Sequence, residues 1–359
     1  MKDFKEIVSQ FQIDEALCEV RPLGNGNINE TYEVICGQDH YVLQEINRYV
    51  FRHPVDVMNN LFLVTEHLQK KIAQEGGDPA RETLNFIRTR DGYPLLQTGG
   101  NGFYRMYRMI LGAEAMDQMH SLSCAEHAAG AYGKFQKRLA DFDSSRLSET
   151  LVRFHDTKYQ MQLLLDAIRA DMCARSSGCG KEIRFVLERS ERLGIITDEM
   201  KSGQIPQRVT HNDTKNSNVL MDKETREAVC VIDLDTVMSG SALYDYGDMV
   251  RSGACPADVG DPENTKLDFE LFEACTRGYL AQMRDDLCLR EKELMVYSAW
   301  LMTMELGIRY LADYLNGDFY FRRGAGTDAN YKKAVQQFAL AADMEEKEGQ
   351  MREIVRRYL

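Results

Sequence analysis

The sequence predicts an α+β chain with a small antiparallel-sheet N-terminal lobe and a large, mainly helical C-terminal lobe. Three observations lead there. Ahead of residue 110 the apolar residues come in short runs separated by hairpin-type spacers, whereas beyond residue 121 they recur every three or four positions over long stretches. One strand-loop-strand block, 208–237, interrupts those helices.

A short amphipathic helix opens the chain. CEVRPL (18–23), TYEVI (31–35) and HYVLQEI (40–46) follow as β-branched and aromatic runs, separated by GNGNIN (24–29) and CGQD (36–39), which fits antiparallel hairpins. A helix over 54–75 comes next: Val57, Leu61, Val64, Leu68 and Ile72 share one face, Pro54 suits a first turn, and Gly76-Gly77 lie past the end. Strands over 84–89 and 103–110 complete a five-stranded sheet. The second lobe reads as helices over 121–140, 158–175, 181–193, 267–284, 290–316 and 328–354, with the junction in LGAEAMD (111–117).

Composition narrows the functions available. The 359 residues are 44% hydrophobic and 28% charged, the balance of a packed globule. With 44 Lys and Arg against 56 Asp and Glu, the net charge of −12 argues against a nucleic-acid partner held by a general positive field, while a local basic pocket can still grip a nucleotide. Nine scattered cysteines without a Cys-x-x-Cys pair argue for reduced thiols in a cytoplasmic protein, and against a zinc knuckle or a disulfide framework. Charges throughout the opening segment do not suit a signal sequence. No stretch approaches about 18 unbroken apolar residues, so no membrane partner is expected.

The chemistry concentrates in His211-Asn212-Asp213-Thr214-Lys215-Asn216-Ser217-Asn218 and in Asp233 of the following VIDLD. An Asp on a loop, an Asn five residues on and a second Asp at the end of the next strand can gather three oxygen ligands around one small volume. Phosphoryl transfer needs that set: a carboxylate to orient and deprotonate a hydroxyl, and oxygen ligands for Mg²⁺ bridging nucleotide phosphates. A polar surface turn is the bland alternative, but a random turn rarely combines this spacing with apolar strands on both sides.

Together with GNGNINETY (24–32), YVLQEIN (41–47), FHDT (154–157), YDYGD (244–248) and ELGIRYLADYLNGDFYF (305–321), this block resembles the aminoglycoside phosphotransferase and choline kinase superfamily. Within it, the N-acetylhexosamine 1-kinases are most similar. The resemblance implies a protein-kinase-like bilobal fold, with a nucleotide-binding lobe over 1–112 and a catalytic and substrate-binding lobe over 113–359. It implies ATP and Mg²⁺ as cofactors and a small-molecule sugar substrate, the anomeric hydroxyl of GlcNAc or GalNAc being converted to the 1-phosphate. Another small alcohol, such as an aminoglycoside, an amino alcohol or a different sugar, and a catalytically inactive nucleotide-binding relative are the alternatives.

By that resemblance Asp213 matches the catalytic base, Asn218 and Asp233 the magnesium ligands, and Lys215 the position that reaches the γ-phosphate. His211, counted with the catalytic set, matches a residue that shapes the loop, and Asp245 a structural acid that hydrogen-bonds backbone beside it. Asp235 is either a further metal-side carboxylate or a solvated loop acid. Gly24, Gly26 and Asn29 form the phosphate-facing turn, where glycines let backbone N–H groups approach, and Glu66 matches the kinase helix glutamate. The pattern departs at Gln44, which stands where the third strand normally carries a Lys. An amide brings no charge, so phosphate neutralisation has to come from elsewhere, and neither Lys215 nor Arg48 is an obvious replacement.

Met106, Tyr107 and Met109 belong to the strand expected to line the adenine pocket, although ordinary alternation also puts such residues in a core. On the acceptor side, Arg309 sits in an apolar helix and needs partners. Glu305, four residues earlier, offers a helical ion pair, while a donor fork for sugar hydroxyls is the sharper reading, and the resemblance tips Arg309 and Tyr320 toward sugar binding. Phe154 and Asp156 are further acceptor-side candidates, with Asp156 or Thr157 equally able to cap the helix that follows.

Overall fold

Period-two alternation organises the N-terminal region. The computed structural model describes residues 2–14, 18–23, 28–116, 118, 121–321 and 328–359, so Gly24 and Gly26 lie outside the described residues. Helix α1 (Phe4–Ser9) precedes strands β1 (Cys18–Pro22), β2 (Glu30–Cys36) and β3 (Asp39–Glu45). Helices α2 (Pro54–Gln74) and α3 (Pro79–Glu82) lead into β4 (Phe86–Ile87), β5 (Leu96–Gln97) and β6 (Phe103–Arg108). These strands form one antiparallel sheet in the order β1-β2-β3-β6-β4, with β5 also on β6. On its outer face Val34, Tyr41, Leu43, Tyr104 and Met106 pack with Ile7, Val8 and Phe11. Alternate residues of β3 and β6, Gln44 and Arg105 among them, therefore face the interior. The stripe Val57, Leu61, Val64, Leu68 and Ile72 joins α2 to the main core, each such side chain contributing about 1.5–3 kcal/mol when fully buried.

Cys18 and Cys36 are register partners on β1 and β2 and form a disulfide with Cα atoms 4.5 Å apart, which corrects the expectation that all thiols are reduced. The hairpin register brings them together, and no cysteine spacing motif announces it.

From β7 (Ala113–Ala115) onward the chain belongs to a second, largely helical assembly. It contains α4 (Leu122–Arg138), α5 (Thr157–Ala170), α6 (Gly180–Leu187), α7 (Ile195–Lys201), β8 (Arg208–Thr210), β9 (Val219–Asp222), β10 (Ala228–Val231), β11 (Met238–Gly240), α8 (Ala242–Gly253), α9 (Phe269–Met283), α10 (Leu289–Asn316) and α11 (Ala329–Tyr358). Two small sheets, β10-β9-β7 and β11-β8, present the loops that matter for chemistry. No helix among the described residues is long and apolar enough to cross a membrane.

The structure departs from the sequence expectation at several places, among them strand β5, which makes the sheet six-stranded, and helix α7. Helix α5 stops at Ala170, short of 175, because Asp171 adopts a left-handed φ of 37° and its carboxylate accepts the N–H groups of Arg175 and Ser176. The helix expected over 181–193 ends at Leu187. Helix α8 had no counterpart, since Ala242 to Val250 are buried on every side and leave no polar stripe to read.

Helix α8 crosses α10 at Gly247, where an added Cβ would sit 2.4 Å from the Ser298 carbonyl oxygen. Gly247→Ala is expected to destabilise the protein by about 1–3 kcal/mol through overpacking against backbone, read as a lowered urea midpoint at unchanged slope. An unshifted midpoint would mean the two helices can part without cost.

Candidate active site

The site is built from two loops that α8 clamps from below. After β8 the chain turns through Asn212, whose positive φ of 66° is tolerated by an Asn that bonds its own surroundings. Its amide donates to the carbonyls of Thr210 and Thr236, and its oxygen accepts from the Thr210 hydroxyl. Asp245, 1% exposed, accepts the backbone N–H groups of His211 and Asn212 at 2.9 and 2.8 Å and the Gln136 amide at 2.6 Å. Burial pushes the Asp245 carboxyl up, and these donors pull it back.

His211 is fully buried. Its Nδ1 accepts from the Asp213 N–H at 3.2 Å, so Nε2 carries the proton and donates to the Ile232 carbonyl at 2.9 Å. Both nitrogens are committed to backbone, so this imidazole holds the two loops together and has no face for proton transfer. Its inclusion with the catalytic set is corrected on that ground.

Asp213, Lys215, Asn218 and Asp233 meet at the loop tips. The Lys215 ammonium lies 2.7 Å from Asp213 Oδ2 and 3.7 Å from Asp233 Oδ2, and the Asn218 amide donates to Asp213 Oδ2 at 3.0 Å. The Ile232 N–H donates to the Asn218 carbonyl, which ties the second loop to the first. Burial opposes charge on Asp213, yet the adjacent ammonium brings its carboxyl down to about 2. Burial and the neighbouring carboxylates of Asp235 and Asp213 push Asp233 up, against the pull of Lys215. Among the described residues no group of three His, Cys, Asp or Glu forms a metal cage. The oxygens of Asp233 and Asn218, beside Asp213, suit Mg²⁺, which takes one or two carboxylates and completes its shell with phosphates and water.

On the interior face of the N-terminal sheet, Gln44 Oε1 accepts from Arg105 Nε and Nη2 at 2.9 and 2.7 Å. Arg105 forms an ion pair with Asp235, and Asn29 donates to the same carboxylate at 2.6 Å. Asp235 is therefore a buried ion-pair partner and not a solvated acid. On α10, the Arg309 guanidinium lies 4.4 Å from the Phe154 ring centroid and 5.6 Å from those of Tyr320 and Phe321. Glu305 is engaged by His155 and Thr157, each at 2.6 Å, and the alternative of a Glu305–Arg309 helical pair is not made.

A sequence model of the phosphotransferase enzyme family matches residues 19–274. The chain belongs to that family. Solved structures with the same fold include a microcompartment-associated aminopropanol kinase, 15% identical, covering 97% of this chain and 98% of that one with a TM-score of 0.60. Spectinomycin phosphotransferase, solved with ADP and spectinomycin, is 13% identical over 97% and 98% of the two chains at 0.59. Choline kinase from Cryptosporidium parvum is 14% identical over 97% and 96% at 0.57. This protein is thus a small-molecule phosphotransferase with a kinase-like fold.

Several sequence expectations for the phosphotransferase need revision in place. Glu66 is half-exposed and lies 3.7 Å from Arg88, away from the loops, because the interior face of α2 presents Met58 to Arg105. Met106 belongs to the outer core, on the opposite sheet face from Gln44, and the Met109 N–H is taken by the His40 carbonyl. Tyr107 shares the interior face with Arg105. Asp156 caps α5 by accepting the Tyr159 N–H and pairs with Arg153, which is the capping alternative. Arg48 lies over the Phe103 ring.

Arg105 escaped notice because its role depends on which strand lies beside Gln44. His155, within the FHDT segment, is buried between two acceptors, Glu305 Oε1 at 2.6 Å and the Asn212 carbonyl at 3.0 Å. Both ring nitrogens must donate, so it is an imidazolium. Burial works against that charge and Glu305 outweighs it, leaving the pKa above the ordinary 6.5. A raised pKa in the fold gives stability that is fully present below 6.5 and fades as pH rises through the raised value. In thermal unfolding, the wild-type advantage over His155→Gln is expected to be greatest on the acid side and to shrink with rising pH. An advantage independent of pH would rule out the charged ring.

Proposed function

We propose that this phosphotransferase is an ATP- and Mg²⁺-dependent kinase that phosphorylates the anomeric hydroxyl of an N-acetylhexosamine, GlcNAc or GalNAc, to give the 1-phosphate. Residues 1–112 serve as the nucleotide-binding lobe and 113–359 as the catalytic and acceptor-binding lobe, in a cytoplasmic enzyme with access to ATP. The observation that carries the choice of acceptor is the guanidinium of Arg309 over Phe154, Tyr320 and Phe321. Aromatic faces of that kind attract cations, and here a resident cation already covers them. The names of the relatives point to aminated acceptors: aminopropanol, spectinomycin and choline. Such cations would meet like charge at Arg309. A neutral sugar instead gains guanidinium donors for its hydroxyls and ring faces for its apolar side.

In this reading Asp213 orients the acceptor hydroxyl and accepts its proton. With Lys215 beside it the Asp213 carboxyl is held below the usual carboxylate range and is ionised, ready to accept a hydrogen bond from the acceptor hydroxyl; its contribution is mainly orientation, with proton transfer late in bond formation. Lys215 is placed to turn from Asp213 to the γ-phosphate of a bound nucleotide, which would leave Asp213 Oδ2 with the Asn218 amide alone and a lone pair for the hydroxyl. Asn218 and Asp233 would hold Mg²⁺, which would neutralise phosphate charge. Asp245 and His155 keep the loop backbone from drifting, which matters because a misplacement of about 1 Å can cost about 10²-fold in rate. Retention of Asp213, Asn218 and Asp233 in one cluster argues against an inactive relative.

Two measurements test the reading. Asp213→Asn is expected to lower kcat by about 10²–10⁴-fold with the melting temperature unchanged, and normal turnover by that variant would refute the assignment. Phosphorus NMR of the protein with Mg·ATP and GlcNAc is expected to show an anomeric phosphate. Phosphate transfer to choline or an aminoglycoside, but to no sugar, would overturn the acceptor class.

A further inference from the structure

The charge that Gln44 lacks is found one strand away. Gln44 on β3 and Arg105 on β6 are register partners, so their side chains share a sheet face at cross-strand distance. Arg105 is 2% exposed, and its fork is spent almost completely: Nε and Nη2 donate to Gln44 Oε1, and Nη1 and Nη2 to the Asp235 carboxylate. Nη1 also lies 4.0 Å from Met58 Sδ, on the helix where the kinase architecture would present a glutamate. Gln44 is thereby explained. A neutral acceptor is needed beside a guanidinium, and a lysine at that position would repel it.

Asp235 is the joint. It stands two residues after Asp233, and its carboxylate takes Arg105 from β6 and the Asn29 amide, while Asn29 Oδ1 accepts the Asn47 N–H just after β3. The nucleotide-side sheet and the metal-side loop therefore share one buried ion pair. Pairs of this kind rarely stabilise a fold more than well-packed apolar residues would, so stability alone does not account for it.

We propose that the Arg105–Asp235 pair is a positioning device that replaces the strand-lysine and helix-glutamate pair of the kinase architecture, locking the sheet onto the Asp233 loop in the arrangement that receives Mg·ATP. Arg105 is a positioning residue because its donors are already occupied. The proposal rests on the nucleotide side of the kinase reading and is independent of which acceptor is used.

The test is calorimetric titration of Mg·ATP into the full-length protein and three variants, with thermal melts alongside. Arg105→Met/Asp235→Leu leaves no orphaned charge and is expected to melt near the wild type while its Kd for Mg·ATP rises about 10²-fold. Arg105→Gln alone is expected to lose at least as much. Gln44→Lys/Arg105→Gln, which returns the cation to β3 within reach of Asp235, is expected to recover about tenfold or more of that loss. A double variant whose Kd stays within about threefold of the wild type overturns the proposal, as does a swap that recovers nothing. If the double variant does not fold, the swap against Arg105→Gln decides. Wild-type protein that takes up no Mg·ATP would overturn the kinase reading itself, and the proposal with it.

Discussion

One buried carboxylate holds the chemistry in place. Asp245 accepts two consecutive backbone N–H groups of the loop that carries Asp213, and only a carboxylate lying directly beneath that loop can do so. Helix α8 puts it there, and the close crossing at Gly247 lets α8 lie deep enough against α10. Thr214 adds a bond from its hydroxyl to the Asp245 carbonyl at 2.6 Å, so the loop is pinned on both sides of Asp213. A loop exposed at its tip and saturated at its base is stiff where the reacting groups must be held and open where substrates arrive.

Polar side chains extend that constraint outward. His211 bridges the two loops, and His155 carries the strain-free load from Asn212 to Glu305 on α10. Asn60 on α2 donates to the carbonyls of Val237 and Ser148, which fastens the N-terminal helix to the segment just past the Asp233 loop. Each of these groups is buried and bonded, as desolvation demands, and each links elements far apart in the chain. The same rule accounts for the contrast between the two clusters: carboxylates and one ammonium at the loop tips, and a guanidinium among the rings of Phe154, Tyr320 and Phe321.

Much of the fold was legible in the residues. Periodicity found α2, α4, α9, α10 and α11 and the strands that carry Gln44 and Arg105, because a buried stripe beside a polar face leaves a mark at fixed spacing. It failed at α8, which is buried all round, and at α5, where Asp171 ends the helix through a side-chain bond that competes with the backbone ladder. The cluster of Asp213, Lys215, Asn218 and Asp233 was legible too, since a short loop and a hairpin of fixed length leave few ways to arrange them.

Local sequence determined the α+β class, the loop that gathers Asp213, Lys215 and Asn218, and the absence of a lysine at residue 44. Tertiary structure alone decided what stands in for that lysine, that His155 is held between two acceptors, and that Glu66 faces away while Asp235 faces in. The reason is distance along the chain: Arg105 and Asp235 are 130 residues apart, and Glu305 reaches His155 across 150. Spacing constrains neighbours within a turn or a hairpin, whereas partners so remote are chosen by strand order and helix crossing.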